Sequence, residues 1–583
     1  MSASEEMRGE EEAAVEECVV MKFGGSVLRD ERDLPRAVHE IYRAWRNGAR
    51  VVAVVSALGD TTDRLLEQAA RVADDPEPRA LATLLATGEL TSTALLALAL
   101  DRAGVPCEVF DAAQVGLRTA GERLEAQLVS VDLVPIERAH ARGAVAVLPG
   151  FIGRDAQGAP TLLGRGGSDL TALFLAQRLR ARCVLFKDVD GLYTADPARG
   201  GGQRPRRFAR AHWGTALAVG GEVVQPKAVR FAAEHGMSFA IKAPCTERWT
   251  EIGAGPDALA ADERTRPLRV ALLGCGTVGG GVYARLAALG ERFEVVGVAA
   301  RTRQRALAAG VPAELFAEDA WSLVEGDGEV VVELIGGVEP AAALVEGALR
   351  AGKHVVTANK ALLAERGARL AQVAAAHGVE LRYSAAVGGA MPATEVAQRA
   401  RRLGTVYALE AVLNGTTNFV LDQLARGADW EQAVRAAQAA GYAEADPRLD
   451  LDGTDAAHKL ALLVRLAFGV DLDVREVARE GIDGVEAERV RRAHAVGRAV
   501  RLVARAVRCG ERVEAGVRPL ELAAGHPLAA VTGVENRLII ELEDGRRLEA
   551  GGKGAGRWPT AEAVMADLFD IARVNDLVEE CVA

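Results

Sequence analysis

"LRVALLGCGTVGGGVYARL" (residues 268–286) is the stretch whose reading decides the fold. A short apolar strand runs into a glycine turn, and the turn opens a helix. Gly274, Gly276 and Gly279 make GxGxxG, which is weak alone and specific in this strand–turn–helix context. The first glycine permits the tight turn, the second lets backbone approach a pyrophosphate, and the third lets helix pack on strand. The N–H groups that follow, from Thr277 and Val278 onward, are then available to phosphate. The plain alternative is a structural turn with no ligand. A second glycine turn, "VVMKFGGSVL" (residues 19–28), stands far upstream, so one chain carries two such openings.

A site for NAD would carry Asp or Glu about 20 residues beyond the motif, at the end of the second strand. That strand ends "VVGVAARTRQRA" and offers Arg301 and Arg303 instead. Guanidinium groups suit a 2′-phosphate. The sequence therefore favours NADP(H) over NAD(H), against the alternative of solvated loop charge.

The 583-residue chain has room for about three or four domains. It is 49% hydrophobic and 26% charged, the balance of a globular protein with large cores. A formal net charge of -11 argues against nucleic-acid binding. Seven scattered cysteines form no CxxC pair, which fits free thiols in a reducing cytoplasm. The acidic start, 1–17, lacks the apolar core of a signal peptide and is expected to be a disordered tail. No uninterrupted apolar run of about 18 residues stands out, so no membrane span is expected.

Upstream, "CVVMKFGG", "ARVVAVVSA", "VAVLPGFIG" and "CVLFKDVDG" read as buried strands ending in glycine or small polar residues. Helical stretches such as "RALATLLATGELTSTALLALALDRAG" alternate with them. This predicts an α/β domain over 18–245 with a mainly parallel sheet, its ligands lying beyond the strand C-termini near Lys22, Ser56 and Asp188. The polar, Gly/Pro-containing stretch 246–267 is expected to be a linker. A second α/β run over 268–394 continues through "FEVVGVAA", "GEVVVELIGG", "KHVVTANK" and "VELRYSAAV". An α+β unit is expected over 395–545, with 546–583 returning to the nucleotide domain.

The downstream half resembles homoserine dehydrogenase through "LGCGTVGGG", "VVTANKALLAERG", "AAVGGAMPATE", "LNGTTNF", "GYAEADPRLDLDGTDAAHKLALL" and "GGKGAGRWPTAEAVMADL". The resemblance implies a Rossmann domain joined to an α+β catalytic and dimerisation domain, and NAD(P)-dependent interconversion of L-homoserine and L-aspartate 4-semialdehyde. It implies Lys459 as the acid/base and Glu444 and Asp455 holding the substrate ammonium. Lys360 would lie near nicotinamide and substrate, Thr357 beside the cofactor, and Asn414, Gly415 and Thr416 along the substrate wall. The residues also make chemical sense alone. Asp455 and Lys459 are spaced i, i+4, so one helix face presents both. A lysine of lowered pKa can give a proton to a carbonyl oxygen as hydride arrives. An exposed helix pair is the alternative, and His458 reads as a packing residue. Ser384 stands where relatives usually carry glutamate. Those relatives bind sodium there largely through backbone carbonyls, so the resemblance admits Na+ at Val387 and Gly389.

In the upstream half, "KFGGSVL", "VVSALGDTTDRLL", "LATGEL", "TLLGRGGSDLTALFLA" and "LFKDVDGLYTADPARG" together resemble the catalytic domain of aspartate kinase, in the amino-acid kinase superfamily. The resemblance implies phosphoryl transfer from ATP, with Mg2+, to the side chain of L-aspartate. Lys22 would act on the transferred group, with Gly24, Gly25 and Ser26 cradling phosphates. Ser56, Thr62, Glu89, Arg165 and Asp169 would bind aspartate, with Lys187, Asp188 and Tyr193 along the nucleotide. The pattern departs from the family at "GGEVVQP" (220–226), where Glu222 replaces a lysine expected near the phosphates and Gln225 a histidine. A carboxylate there repels phosphate, so either Lys227 substitutes or turnover suffers.

The chain thus reads as a fusion of two enzymes on the route from aspartate to homoserine, toward threonine and methionine. The resemblances imply a cytoplasmic homo-oligomer, dimer or tetramer, acting on small molecules with neither nucleic acid nor membrane as partner. The step between the two reactions has no candidate in the sequence, and the stretch between the halves is too short for the paired regulatory ACT modules usual in such fusions. The competing reading keeps the dehydrogenase and makes the kinase-like domain a non-catalytic assembly or ligand-binding unit. A third keeps the kinase with another acceptor.

Overall fold

The computed structural model describes residues 17–197, 205–221, 223–261, 266–443 and 446–582, with side chains to 573. The tail expected over 1–17 lies outside it except for Glu17. By contacts the chain forms two compact units, Met1–Asp101 with Pro106–Arg264, and Arg102–Val105 with Thr265–Ala583.

The first unit holds β1 (Cys18–Phe23), β2 (Arg50–Val55), β3 (Cys107–Val109), β4 (Arg118–Ala120), β5 (Gln127–Ser130), β6 (Val145–Pro149), β7 (Ile152–Arg154), β8 (Pro160–Leu162), β9 (Arg182–Phe186), β10 (Phe208–His212), β11 (Phe239–Lys242), β12 (Trp249–Gly253) and β13 (Ala258–Leu259). Nine of them form one sheet in the order β13-β10-β12-β11-β9-β1-β2-β6-β3, and β5-β4-β7-β8 form a second. The run β11-β9-β1-β2-β6-β3 is parallel throughout. Helices over both faces bury β1 and most of β2, which is why these strands read as continuous apolar runs. Phe23 and Phe186, opposite one another in register, stack with ring centroids 4.7 Å apart and lock β1 to β9. The β1–β9 register also pairs Lys22 with Leu185. By strand alternation, residue 187 lies on the face of Lys22, one step nearer the open end.

The fold departs from the sequence pattern in three places. The first part of the expected linker is sheet: Trp249–Gly253 pairs with β10 and β11. Its inward residues Thr250 and Ile252 are fully buried while Trp249 and Glu251 are exposed, so its short alternation hid it among polar neighbours. The glycine turn after β1 does not run into a helix. The backbone turns back on Gly24 O, and the next helix begins only at Leu34. Among the described residues one helix, Pro78–Ala103, is long and apolar enough to cross a membrane by length and composition, although half of its most apolar 18 residues are buried within the chain.

The second unit opens with β14 (Leu268–Leu273), β15 (Phe293–Ala299), β16 (Phe316–Ala317), β17 (Val330–Glu333), β18 (His354–Thr357) and β19 (Leu381–Arg382), a parallel sheet in the order β16-β15-β14-β17-β18-β19. "VELRYSAAV" is only briefly strand, because Ser384–Gly388 coils into a short helix. Next come β20 (Val406–Val412), β21 (Ala478–Arg479), β22 (Ala499–Cys509), β23 (Arg512–Leu522), β24 (Glu535–Leu542) and β25 (Arg547–Lys553), ordered β21-β23-β22-β20-β24-β25. The helix Thr454–Phe468 contributes Leu460, Leu463 and Val464 to the core that covers this sheet. The final helix, Arg557–Val582, packs along Thr277–Ala287, where Gly281 admits the Arg557 and Ala561 side chains.

Candidate functional site

The glycine turn at 274–279 is shaped by steric need at two positions and left open at the third. Gly274 has φ +104, and a Cβ there would lie 2.6 Å from Leu334 backbone. A Cβ at Gly279 would lie 2.1 Å from Gly274 O. At Gly276 a Cβ would meet nothing within 4 Å, and the helix Thr277–Ala287 that it precedes has no side-chain cap. The cradle that a Cβ would fill therefore faces uncapped N–H groups, with Thr277 exposed and Val278 half-buried. A dinucleotide pyrophosphate fits this arrangement. Gly274 N–H donates to Ala299 O at 2.8 Å, which sets the end of β15 beside the turn. Arg301 and Arg303 are exposed just beyond it, at the start of a helix capped by Thr302.

Behind the turn lies a carboxylate that the sequence pattern does not announce. Glu333 ends β17 and is fully buried. Its Oε2 accepts from Thr357 Oγ1 at 2.6 Å, and its Oε1 accepts from the N–H groups of Ile335 and Gly336. Asn359 donates to Gly337 O at 2.6 Å and caps the helix that starts at Lys360. Thr357, expected beside the cofactor, is thus engaged inward on Glu333. The available signal was an acid ending the apolar run "VVVELIGG", since such a residue needs partners when buried.

A charged cluster lies where β20 and the helix Thr454–Phe468 converge. Asp455 is 4% exposed and forms ion pairs with Lys360 and, at 3.0 Å, with Lys459. Lys459, also buried, donates to Leu413 O at 2.7 Å. Asn414 Nδ2 donates to Asp455 Oδ2 at 2.9 Å and to Asp450 Oδ1 at 2.8 Å, so this amide orients two carboxylates. Burial opposes the charge on Asp455, but the two lysines overcome it and hold the carboxyl well below the usual range. Burial lowers Lys459 and Lys360 repels it, with Asp455 acting the other way. Burial raises Asp450. Thr416 donates to Tyr442 O, and a Cβ on Gly415 would lie 3.0 Å from Val534 backbone, a tight approach. Half-buried His458 is lowered by burial and also feels the charges of Asp455 and Lys360. Glu444 lies outside the described residues. Nothing in the sequence pattern singles out Asp450, or Asn536, which also donates to Leu413 O.

Val387 lies in the short helix Ser384–Gly388, and Gly389 follows it at φ +59, where a Cβ would lie 2.6 Å from Gly554 backbone. Ser384 Oγ lies 2.8 Å from Glu395 Oε1 and 2.9 Å from Asp567 Oδ1, so the hydroxyl is engaged by two carboxylates.

In the first unit, Asp169 sits in the first turn of the helix Gly167–Leu179 and is 2% exposed. Lys22 Nζ lies 2.8 Å from its Oδ1 and Lys187 Nζ 2.7 Å from its Oδ2. Asp169, expected to bind substrate, is enclosed between two lysines. Burial opposes its charge, yet Lys22 and Lys187 hold it below its ordinary value. Lys187 is lowered by burial and by Lys22. Glu89 is 2% exposed, and its Oε2 has no hydrogen-bond partner among the described residues. Burial pushes it up to about 8, against a backbone N–H from Ala57 and the charge of Lys22. A Cβ on Gly24 would lie 2.7 Å from Lys22 Nζ, and one on Gly25 would lie 2.8 Å from Gly59 O. Ser26, Arg165 and Asp188 are exposed, while Ser56 and Thr62 are half-buried. Tyr193 is tied to Asp190 at 2.8 Å. Lys227 is not in the cluster: its Nζ donates to Leu163 O and lies 3.7 Å from Glu125. Glu222 lies outside the described residues.

Comparison with known proteins accounts for both units. Residues 392–569 match the homoserine dehydrogenase family, 274–384 its NAD-binding domain, and 17–242 the amino acid kinase family. The homoserine dehydrogenase of Synechocystis sp. is 37% identical over 319 residues, covering 53% of this chain and 74% of that protein. That of Mycobacterium tuberculosis is 40% identical over 325 residues, covering 53% and 73%. The crystal structure of a homoserine dehydrogenase from Thiobacillus denitrificans aligns with TM-score 0.51 at 36% identity, over 54% of this chain and 75% of that one.

Proposed function

The chain belongs to the homoserine dehydrogenase family, and from that premise we propose that its second unit reduces L-aspartate 4-semialdehyde to L-homoserine with NADPH, while the amino-acid-kinase-family unit phosphorylates L-aspartate from ATP. The observation that carries the dehydrogenase reading is the buried Lys459–Asp455 pair, joined by half-exposed Lys360, in the same unit as the open glycine cradle. A bound nicotinamide supplies the hydride. Lys459 then gives its proton to the carbonyl oxygen, so aldehyde, hydride and proton become alcohol. Asp455 keeps Lys459 aimed, and Asn414, itself bonded to Asp450, holds Asp455 in place; Glu444 and Asp455 would take the substrate ammonium. Arg301 and Arg303 would receive the 2′-phosphate and favour NADP over NAD. A sodium ion at Val387 and Gly389 would rest on backbone oxygens alone, given how Ser384 is bonded.

For the kinase reading, the supporting observation is the pair of buried lysines on Asp169, together with the orphaned Glu89 carboxyl that an amino-acid ammonium would satisfy. Among the described residues no group of three or more His, Cys, Asp or Glu side chains is gathered for a metal. Magnesium would accordingly enter with the phosphates of ATP. The reading of a non-catalytic domain is favoured by one feature, glutamate at position 222. Two assays test the assignment. Lys459→Ala should lower kcat for semialdehyde reduction by about 10²–10⁴-fold while NADPH binding persists; an undiminished kcat sinks that role. Wild-type chain should form hydroxamate from aspartate, Mg-ATP and hydroxylamine.

A further inference from the structure

We propose that Lys187 is the second phosphate-facing cation of the kinase site, acting from the end of β9 in place of the lysine that the sequence pattern puts at position 222. This rests on the kinase reading and specifies how it works without that lysine.

The geometry around Asp169 carries the assignment. Lys187 Nζ and Lys22 Nζ bind opposite oxygens of one carboxylate, at 2.7 Å and 2.8 Å. The β1–β9 register explains how: strand alternation sets residue 187 on the face of Lys22 and nearer the open end. Both ammonium groups are nearly buried, with side chains 7% and 11% exposed. Lys22 and Lys187 repel one another across the one buried carboxylate they share, with Asp188 also acting on Lys187, so an anion joining them is favoured. The surroundings suit a phosphoryl group. The helix Gly167–Leu179 points an N-terminus without a side-chain cap at the same spot, with Gly166 at φ +77 before it. The side chain of Lys22 folds over Gly24, where any Cβ would collide with its Nζ. Finally, the other candidate is engaged elsewhere, since Lys227 donates to Leu163 O.

In the step itself, a carboxylate oxygen of the acceptor attacks the γ-phosphorus of ATP. The bond from that phosphorus to the β,γ-bridging oxygen breaks, and ADP leaves with the electron pair. No proton is gained or lost, and the products are an acyl phosphate and ADP. Lys22 and Lys187 flank the transferred group as its charge spreads, while Asp169 fixes their spacing.

The test uses the full chain and the hydroxamate assay with aspartate, Mg-ATP and hydroxylamine. Dehydrogenase turnover of each sample reports on its integrity. Lys187→Met should lower the kinase kcat by about 10²-fold or more, the scale of losing one fixed donor to a transition state, with KM for aspartate changed less than about threefold. Lys187→Arg should retain at least a tenth of wild-type kcat. Glu222→Lys added to Lys187→Met should recover at least about tenfold. A Lys187→Met enzyme within threefold of wild-type kcat would overturn the assignment. So would a loss that neither Lys187→Arg nor Glu222→Lys relieves, because a purely structural lysine behaves that way. A wild-type chain that forms no hydroxamate removes the kinase reading itself.

Discussion

Single residues in this chain act through what burial does to their charge, and Glu89 shows the effect most directly. Its carboxyl is pushed up to about 8 from an ordinary value of 4.5, because burial outweighs the backbone N–H and the charge of Lys22. Between those values the folded chain holds a proton that the unfolded chain has lost. Stability therefore falls as pH rises from about 4.5 toward 8, and levels off above. A tenfold change in proton affinity corresponds to about 1.4 kcal/mol, so the loss is on the order of a few kcal/mol. We expect the melting temperature of the first unit to drop between pH 5.5 and 8.5 by more in wild type than in Glu89→Gln, measured by differential scanning calorimetry. Parallel pH profiles for the two proteins would mean that Glu89 is not the group responsible. Aspartate should relieve the same strain, because an ammonium beside the carboxylate restores its charge. Its binding should therefore release a proton near pH 7, visible as a buffer-dependent heat. Asp455 has the opposite sign: held low by Lys459 and Lys360, it contributes stability above about pH 4 that is lost as the solution is acidified.

At the scale of elements, the glycine turn separates fold from ligand. Gly279→Ala sets a Cβ 2.1 Å from Gly274 O, so strand and helix must part. We expect it to destabilise the second unit by several kcal/mol, as overpacking at backbone does. Gly276→Ala meets nothing and starts from φ −84, so thermal unfolding should barely change. Its methyl group fills the cradle, and NADPH affinity by fluorescence titration should fall at least about tenfold. Unchanged affinity would mean that the pyrophosphate lies elsewhere. This turn was fully legible because its residues are consecutive and each glycine has its own steric reason. β1, β2, β6 and β9 were legible for a related cause: buried on both faces, they read as unbroken apolar runs. β12 was not, since Trp249 and Glu251 face solvent between inward Thr250 and Ile252. Glu333 is a different kind of omission. It is invisible to periodicity, and its partners Thr357 and Asn359 come from the next strand and the loop after it. Lys187 reads from sequence as a nucleotide neighbour, but its pairing with Lys22 needs the β1–β9 register, which joins residues far apart in the chain.

At the scale of the whole molecule, the two units follow one another with little chain between them. β13 ends at Leu259 and β14 begins at Leu268, so residues 260–267 separate the sheets. The expected linker thereby shortens, since most of 246–259 belongs to the first sheet or its turns. A regulatory module of several strands and two helices needs about 60–80 residues, near the lower limit for any domain. Residues 260–267 are too few to hold one between the two sheets. Feedback inhibition by a pathway product requires a second site whose occupant prefers one of two states. An amino acid that reaches only the aspartate site can inhibit only by competition. We therefore expect threonine and lysine to inhibit acyl-phosphate formation only weakly, and saturating aspartate to abolish what inhibition there is. Titrating each amino acid at limiting and at saturating aspartate in the hydroxamate assay separates the cases. Inhibition at micromolar threonine or lysine that saturating aspartate leaves intact would show a distinct regulatory site within these units. The same titration on a Lys22→Ala chain, followed by dehydrogenase turnover alone, shows whether such a site acts across units: with separate sites, homoserine dehydrogenase activity should match wild type at every concentration.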